Sequence, residues 1–223
     1  MILTRNEIKG LQALFNRIPR DAVGEVLAVD YRSTDGTPEF LRARGVAVIP
    51  QIVPGRGEAF RMAAAVARGD ILVFFSPDGN EDPADIPKLI AALQKGGADT
   101  AIASRFLPGS RNEEDGKRLP LRAWANRAFT WLANVCFGGR ITDAINGFRA
   151  VKRESFERLC VDAQGFAIEY QMSIRALKLG QRIVEVPTIE GQRIGGQSTA
   201  SSIPTGLKML RLLLREVWVG KRF

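Results

Sequence analysis

The chain has 223 residues, 45% of them apolar and 25% charged, with 22 Gly and 11 Pro, which excludes disordered, collagen-like and low-complexity classes and fits one globular domain. Lys and Arg number 32 against 24 Asp and Glu, a formal charge of +8, so an anionic partner is expected: nucleic acid, phospholipid or a phosphorylated small molecule. There is no histidine, and the two cysteines, Cys136 and Cys160, share no metal spacing; His-based triads, His-containing zinc sites and a disulfide framework are excluded, and catalysis must use carboxylates, amides, Lys or Arg, or a hard metal.

Glu7–Ile18 reads as an amphipathic helix, with Ile8, Leu11, Leu14, Phe15 and Ile18 on one face. Glu25–Asp30 is a buried strand that stops at an acid and the turn Ser33-Thr34-Asp35-Gly36. A short helix (Pro38–Arg44), a strand (Val46–Ile49) and an Ala-rich helix (Glu58–Arg68) follow, and Gly69-Asp70 leads into the strand Ile71–Phe75. Beyond the loop Ser76–Pro83 come a helix over Ala84–Lys95 and a strand over Thr100–Ala103. Strands and helices alternating at this spacing predict an α/β fold, a mostly parallel sheet with helices on both faces. Ligands of such sheets bind beyond the carboxyl ends of the strands, which places Asp30 and the Ser76–Asp82 loop at one edge.

The second half is less regular. A polar loop (Leu107–Arg118) leads to a long helix around Leu121–Phe137; Gly138-Gly139 precedes Ile141–Val151. A helix (Ala167–Leu179), a strand (Arg182–Val186) and a polar loop (Glu190–Ser202) follow, and a helical stretch begins after Pro204. No linker is visible, so the expected organisation is a domain over 1–203 with a C-terminal basic amphipathic helix over 204–223.

Four segments bear on function. Ser76-Pro77-Asp78-Gly79-Asn80-Glu81-Asp82-Pro83 follows a buried strand. Asp78 and Asn80 offer the hard oxygen ligands that Mg2+ or Mn2+ takes; the same residues also suit a turn with Asp82 capping the next helix. Gly55-Arg56-Gly57-Glu58 either seats a phosphate on a helix N-terminus or punctuates a loop. Arg105, Arg111, Lys117, Arg118 and Arg122 form a basic run, either a solvated face or the hold on a phosphorylated acceptor. In the last helix Leu207, Leu210, Leu213, Leu214, Val217 and Trp218 form an apolar surface beside a stripe of Lys208, Arg211 and Arg215, suited to an anionic membrane interface or to packing on the domain. No apolar run reaches the roughly 20 residues of a membrane span. Arg5, Glu7 and Lys9 interrupt any leader-like start, so a cytoplasmic location, peripheral on the cytosolic face of a membrane, is expected.

Val29-Asp30-Tyr31-Arg32-Ser33-Thr34-Asp35-Gly36-Thr37 resembles the Val-Asp-Asp-Gly-Ser-Thr-Asp-Gly-Thr segment of family 2 inverting glycosyltransferases. Gly55–Arg68 with Gly69-Asp70-Ile71, Ala103-Ser104-Arg105, Thr142-Asp143 through Gly147-Phe148-Arg149-Ala150, Val184–Pro187 and Arg193–Ser198 add matches in the same order. Over nearly the whole chain the pattern is similar to the polyprenyl-phosphate (dolichyl-phosphate) mannosyl/glucosyl synthase branch.

The resemblance implies a GT-A fold, a nucleotide-sugar donor and a polyprenyl-phosphate acceptor. It puts Asp30, Asn6, Glu7, Gly57, Ser76 and Arg193 at the donor, and Asp78 and Asn80 at a Mg2+ or Mn2+ ion in the place of an Asp-X-Asp motif. Arg105, Arg122 and Ser198 fall at the acceptor phosphate, and Asp78 and Asp143 in the catalytic set. The alternatives are a hydroxyl acceptor, for which Asp143 would take the proton, or a non-catalytic nucleotide-sugar-binding protein; nucleic-acid binding would rest on charge alone and is not expected. Three departures stand out. Ser76 replaces the first Asp of the motif, Tyr31-Arg32 replaces Asp-Gly, and only Met1-Ile2-Leu3 remain for a first strand that should be central.

Overall fold

The computed structural model describes residues 1–95, 97–115, 117–195 and 202–223. Among the described residues seven strands form the middle layer: β1 (Ile2–Thr4), β2 (Leu27–Asp30), β3 (Ala47–Pro50), β4 (Ile71–Phe74), β5 (Thr100–Ser104), β6 (Arg149–Lys152) and β7 (Ile183–Pro187). β1, β2 and β3 run parallel in the order β1-β2-β3, with Thr4 opposite Asp30 and Asp30 opposite Pro50. The other four are ordered β4-β6-β5-β7. A parallel bridge between Ile2 and Phe75 splices the two groups, with Leu3 N–H donating to Phe75 C=O at 3.0 Å. β1 is therefore central although only three residues long. β6 is antiparallel to both β4 and β5, the one reversal in an otherwise parallel sheet.

Both faces of the central strands are buried, so their residues alternate between two apolar layers. Ile2, Ala28 and Val73 face α1 (Ile8–Leu14), α2 (Thr37–Arg42) and α4 (Ile86–Lys95) through Leu11, Leu14, Leu41, Leu89 and Leu93. Leu3, Leu27, Val29, Leu72 and Phe74 face α3 (Arg56–Val66), α6 (Arg153–Arg158) and α7 (Ala167–Lys178) through Phe60, Ala63, Phe156, Ile168 and Met172. Phe60 stacks on Phe74 with ring centroids 4.1 Å apart. Each such side chain, fully buried, contributes about 1.5–3 kcal/mol, which is why continuous apolar runs rather than alternating ones mark these strands.

A third layer joins α5 (Leu121–Phe137), α7 and α8 (Ser202–Val219) through Ala133, Tyr170, Ile174, Met209, Leu212 and Leu213. Of the apolar surface read from the sequence, Leu213 belongs to the packed face of α8 together with Met209, Leu212 and Glu216. Leu207, Leu210, Leu214, Val217 and Trp218 stay outside, Trp218 at 87% exposure. A short helix, α6, was not legible in the sequence, and the 141–151 segment yields a strand only over Arg149–Lys152.

Candidate active site

The carboxyl ends of β1, β2 and β4 share one edge, and the loops leaving them are fastened together. Buried Asp30 ends β2; its Oδ1 accepts from Thr4 Oγ1 at 2.8 Å and Ser33 Oγ at 2.6 Å, and its Oδ2 from Ser33 N–H at 3.0 Å. Asn6, at φ 57°, donates its N–H to Ser33 Oγ, and its Oδ1 accepts Thr34 N–H. Asp35 accepts Ile8 N–H at 3.0 Å, capping α1 from outside, while Thr37 Oγ1 accepts Glu7 N–H. The Ser-Thr-Asp-Gly-Thr segment therefore shapes the loop after β1, and Asp30 holds that loop from behind.

The loop after β4 carries the densest charge. Asp78 accepts from Asn80 N–H at 3.1 Å and from Arg193 Nη2 at 2.6 Å. Asn80 donates through Nδ2 to Glu113 Oε2 at 2.6 Å, leaving its Oδ1 buried with no partner. Arg56, from the start of α3, donates Nη1 to Ser76 Oγ at 3.0 Å and pairs with Glu169 of α7. Glu81 folds back so that its Oε2 accepts Ser76 N–H at 2.6 Å. Burial pushes the Glu81 carboxyl up to about 8 against the pull of Arg56, and burial together with Asp78 pushes Glu7 up to about 7. Asp82 does cap the next turn, accepting Ala84 N–H at 3.0 Å, so this loop both caps and projects side chains.

Facing this loop stands Arg105, at the end of β5. Its Nε and Nη2 reach Asp143 Oδ2 and Oδ1 at 2.7 and 3.0 Å, and Nη1 lies 3.4 Å from Glu190 Oε1. Burial opposes the charge, but Asp143 outweighs it and holds the guanidinium firmly protonated. Asp143 is fully buried, and both its oxygens are taken up by Arg105 and by the N–H groups of Ile145 and Asn146. It acts on its surroundings through Arg105. Beyond Arg105, Arg122 at the start of α5 binds Glu113 at 2.8 Å.

These groups line a single open cavity of about 1390 Å³, walled on one side by α5 and α8. It brings together Asn6, Glu7, Ser76, Asp78, Asn80, Arg105, Arg122 and Arg193. Asp30, Gly57 and Asp143 sit behind its wall. Buried Gly57 has the Ala163 carbonyl only 2.1 Å from where a Cβ would stand, so its smallness serves close packing of α3. Ser198 lies outside the described residues. The sequence did not single out Arg56, Glu81, Glu169 and Glu190, which share the floor, nor Arg211 and Arg215 as cavity residues. Arg56 and Glu81 lie inside the quoted motifs, where their odd charge was the available signal; Glu169 carried none, being one acid on a helix.

Among the described residues no cluster of three or more His, Cys, Asp or Glu forms a metal cage. The fit to Mg2+ or Mn2+ rests instead on hard oxygens, the Asp78 carboxylate and the orphaned Asn80 Oδ1, of the kind such ions combine with substrate phosphate.

The mostly parallel α/β sheet with helices on both faces and a cleft at its carboxyl edge is a GT-A type fold. Residues 1–160 match the model of Glycosyl transferase family 2, and the chain is a glycosyltransferase that belongs to this family. An undecaprenyl-phosphate mannosyltransferase of Micrococcus luteus is 31% identical over 239 residues, spanning 100% of this chain and 96% of that protein. A polyprenol monophosphomannose synthase of Mycolicibacterium smegmatis is 30% identical, across 90% of this chain and 80% of that protein. The crystal structure of glucosyl-3-phosphoglycerate synthase from Mycobacterium tuberculosis in complex with Mn2+, UDP and phosphoglyceric acid matches at TM-score 0.74. It is 21% identical and covers 99% of this chain and 76% of its own, a likeness of fold.

Proposed function

We propose that this glycosyltransferase moves a hexosyl group, with inversion, from a nucleotide-sugar to a polyprenyl phosphate at a membrane surface. The observation that carries this is the set of groups that one cavity holds together. Asp78 and the unpartnered Asn80 Oδ1 share it with Arg105 and Arg122, joined to Asn80 through Glu190 and Glu113, and with Arg211 of α8. A divalent ion held by Asp78 and Asn80 would neutralise the leaving diphosphate. Arg193, which rests on Asp78, would turn its hydrogen bonds to that diphosphate. Tyr31 lines the cavity with the Arg5 guanidinium 5.3 Å from its ring centre, a platform for the nucleobase.

The acceptor end needs a cation and no base. A phosphate monoester has its second pKa near about 6 and is largely ionised at neutral pH. Its oxygen attacks the anomeric carbon as the bond to the diphosphate breaks on the opposite face, and the enzyme supplies position and charge. Arg105, fixed in orientation by Asp143, is suited to hold this phosphate. That Asp143 has no oxygen left to take a proton supports phosphate over hydroxyl as the acceptor group.

The membrane reading extends from α8 to α5. Leu121, Trp124, Trp131 and Val135 form an exposed apolar stripe on α5, beside Leu207, Leu210, Leu214, Val217 and Trp218 of α8. Lys208, Arg211, Lys221 and Arg222, all exposed, add positive charge to α8 and the residues after it, which suits this region to anionic lipid, and no described helix is long and apolar enough to cross a membrane. The test is transfer from a panel of labelled nucleotide-sugars to a short polyprenyl phosphate or to the matching polyprenol, with Mg2+ or Mn2+. Lipid-linked product from the phosphate alone is expected. Product from the alcohol alone would refute the acceptor assignment, and no transfer from any donor would refute the activity.

A further inference from the structure

Ser76 occupies the position where the resembling family carries the first carboxylate of its metal motif, and nothing in the linear spacing replaces that charge. The fold does. Glu81, five residues on, is turned back by the loop until its Oε2 accepts the backbone N–H of Ser76 itself at 2.6 Å. Its Oε1 makes no hydrogen bond among the described residues, and the side chain lines the cavity beside Asp78 and Asn80. The Ser76 hydroxyl accepts from Arg56, whose guanidinium also lies near the Glu81 carboxyl. An aspartate at 76 would crowd a third carboxylate against Glu81 and Asp78; serine leaves two.

Two further observations point to a ligand here. Glu169, only 3% exposed in the wall of the same cavity, has an Oε2 with no partner, and so does the buried Asn80 Oδ1. A buried polar atom without a partner calls for an explanation, and a bound ion is one that fits two such atoms in the wall of one cavity. We propose that Glu81 supplies the second anionic oxygen of the divalent-cation and diphosphate site, replacing from outside the Asp-X-Asp spacing the charge that Ser76 lacks. This inference rests on the nucleotide-sugar reading of the cavity.

The test is Mn2+ binding to the full chain, followed by electron paramagnetic resonance of the free ion, alone and with GDP or UDP. Glu81→Gln keeps an oxygen for the Ser76 N–H and so preserves the loop. It should weaken Mn2+ binding about tenfold or more, on the scale by which groups around a metal tune its affinity. Adding Ser76→Asp to Glu81→Gln should restore most of the loss, whereas Ser76→Asp alone should bring no comparable gain. Wild-type Mn2+ affinity in a folded Glu81→Gln, with Asp78→Asn impaired, would overturn the role of Glu81 while leaving the metal site standing. Equal, negligible Mn2+ binding by wild type, Glu81→Gln and Asp78→Asn would instead remove the metal–nucleotide reading, and this inference with it. Failure of Ser76→Asp to rescue any part of the Glu81→Gln loss would also count against it.

Discussion

Replacing Glu216 with Gln should detach α8 from the domain. The Glu216 carboxylate is fully buried and accepts from Lys178 Nζ at 2.7 Å, Gln171 Nε2 at 2.9 Å, and Arg175 and Arg215 at 3.0 Å each. Arg175 and Lys178 are themselves buried, so the neutral variant leaves Lys178 without its counter-charge and Arg175 with Asp162 alone, at 3.2 Å. Removing one partner of a buried ion pair costs about 3–5 kcal/mol. For a chain of this size that corresponds to a loss of roughly 10 °C in melting temperature.

The pH dependence gives an independent reading. Burial alone would raise the Glu216 pKa, but the hydrogen bonds from Arg175, Gln171 and Lys178 win and lower it from 4.5 to about 2. A depressed folded pKa means that the stabilisation is complete above pH 4.5 and fades as pH falls toward 2, in total about 3 kcal/mol. By pH 3.5 roughly 1.4 kcal/mol of the difference between wild type and Glu216→Gln should be gone. Urea unfolding of both proteins at pH 7 and at steps down to pH 3.5 measures it. A difference below about 1 kcal/mol at pH 7, or one that does not narrow on acidification, would refute the buried-anchor account. Because α8 carries Arg211 and Arg215 into the cavity wall, the same variant should raise the acceptor KM before it lowers donor binding.

Other substitutions test separate parts of the site. Asp143→Asn removes the charge that aims Arg105 and should raise the KM for a phosphate acceptor about tenfold with kcat largely kept, whereas near-complete loss of kcat would favour a proton-accepting Asp143. Gly10→Ala, ordinarily worth about 1 kcal/mol in a helix, would put a Cβ 1.7 Å from the Pro77 carbonyl. Thermal melting should show a net loss of about 1–3 kcal/mol together with weaker Mn2+-dependent nucleotide binding; a higher melting temperature would contradict the contact. Trp131→Ala and Trp218→Ala should each weaken flotation with anionic vesicles by about 2 kcal/mol, and unchanged flotation of the double variant would exclude these helices as the membrane face.

Much of the framework could be read directly. The buried runs at 27–30 and 71–74 became strands because residues enclosed on both faces need no polar alternation. The helix at Leu121–Phe137 has the expected limits, ending where Gly138 turns to φ 74°. Asp78 and Asn80 were nominated by motif, because that signal depends on local spacing after a strand. Glu81, Arg56 and Glu169 were overlooked as a set because Arg56 meets Glu169 across 113 positions and Ser76 across 20, distances along the chain that carry no local pattern.

The sequence by itself determined the α/β layering and the edge at which the loops gather, which follow from burial periodicity, and its motifs resemble family 2 glycosyltransferases, the family to which the chain belongs. Without histidine, the candidate site residues it offered were carboxylates, amides and arginines. Only the tertiary structure decided that β6 enters antiparallel, that Asp143 stands behind Arg105, and that α8 turns Leu213 and Glu216 inward while leaving Trp218 outside. A helix pattern reports that a face can be covered, not what covers it, and a charged side chain reports no partner until folding brings the opposite charge within hydrogen-bonding distance.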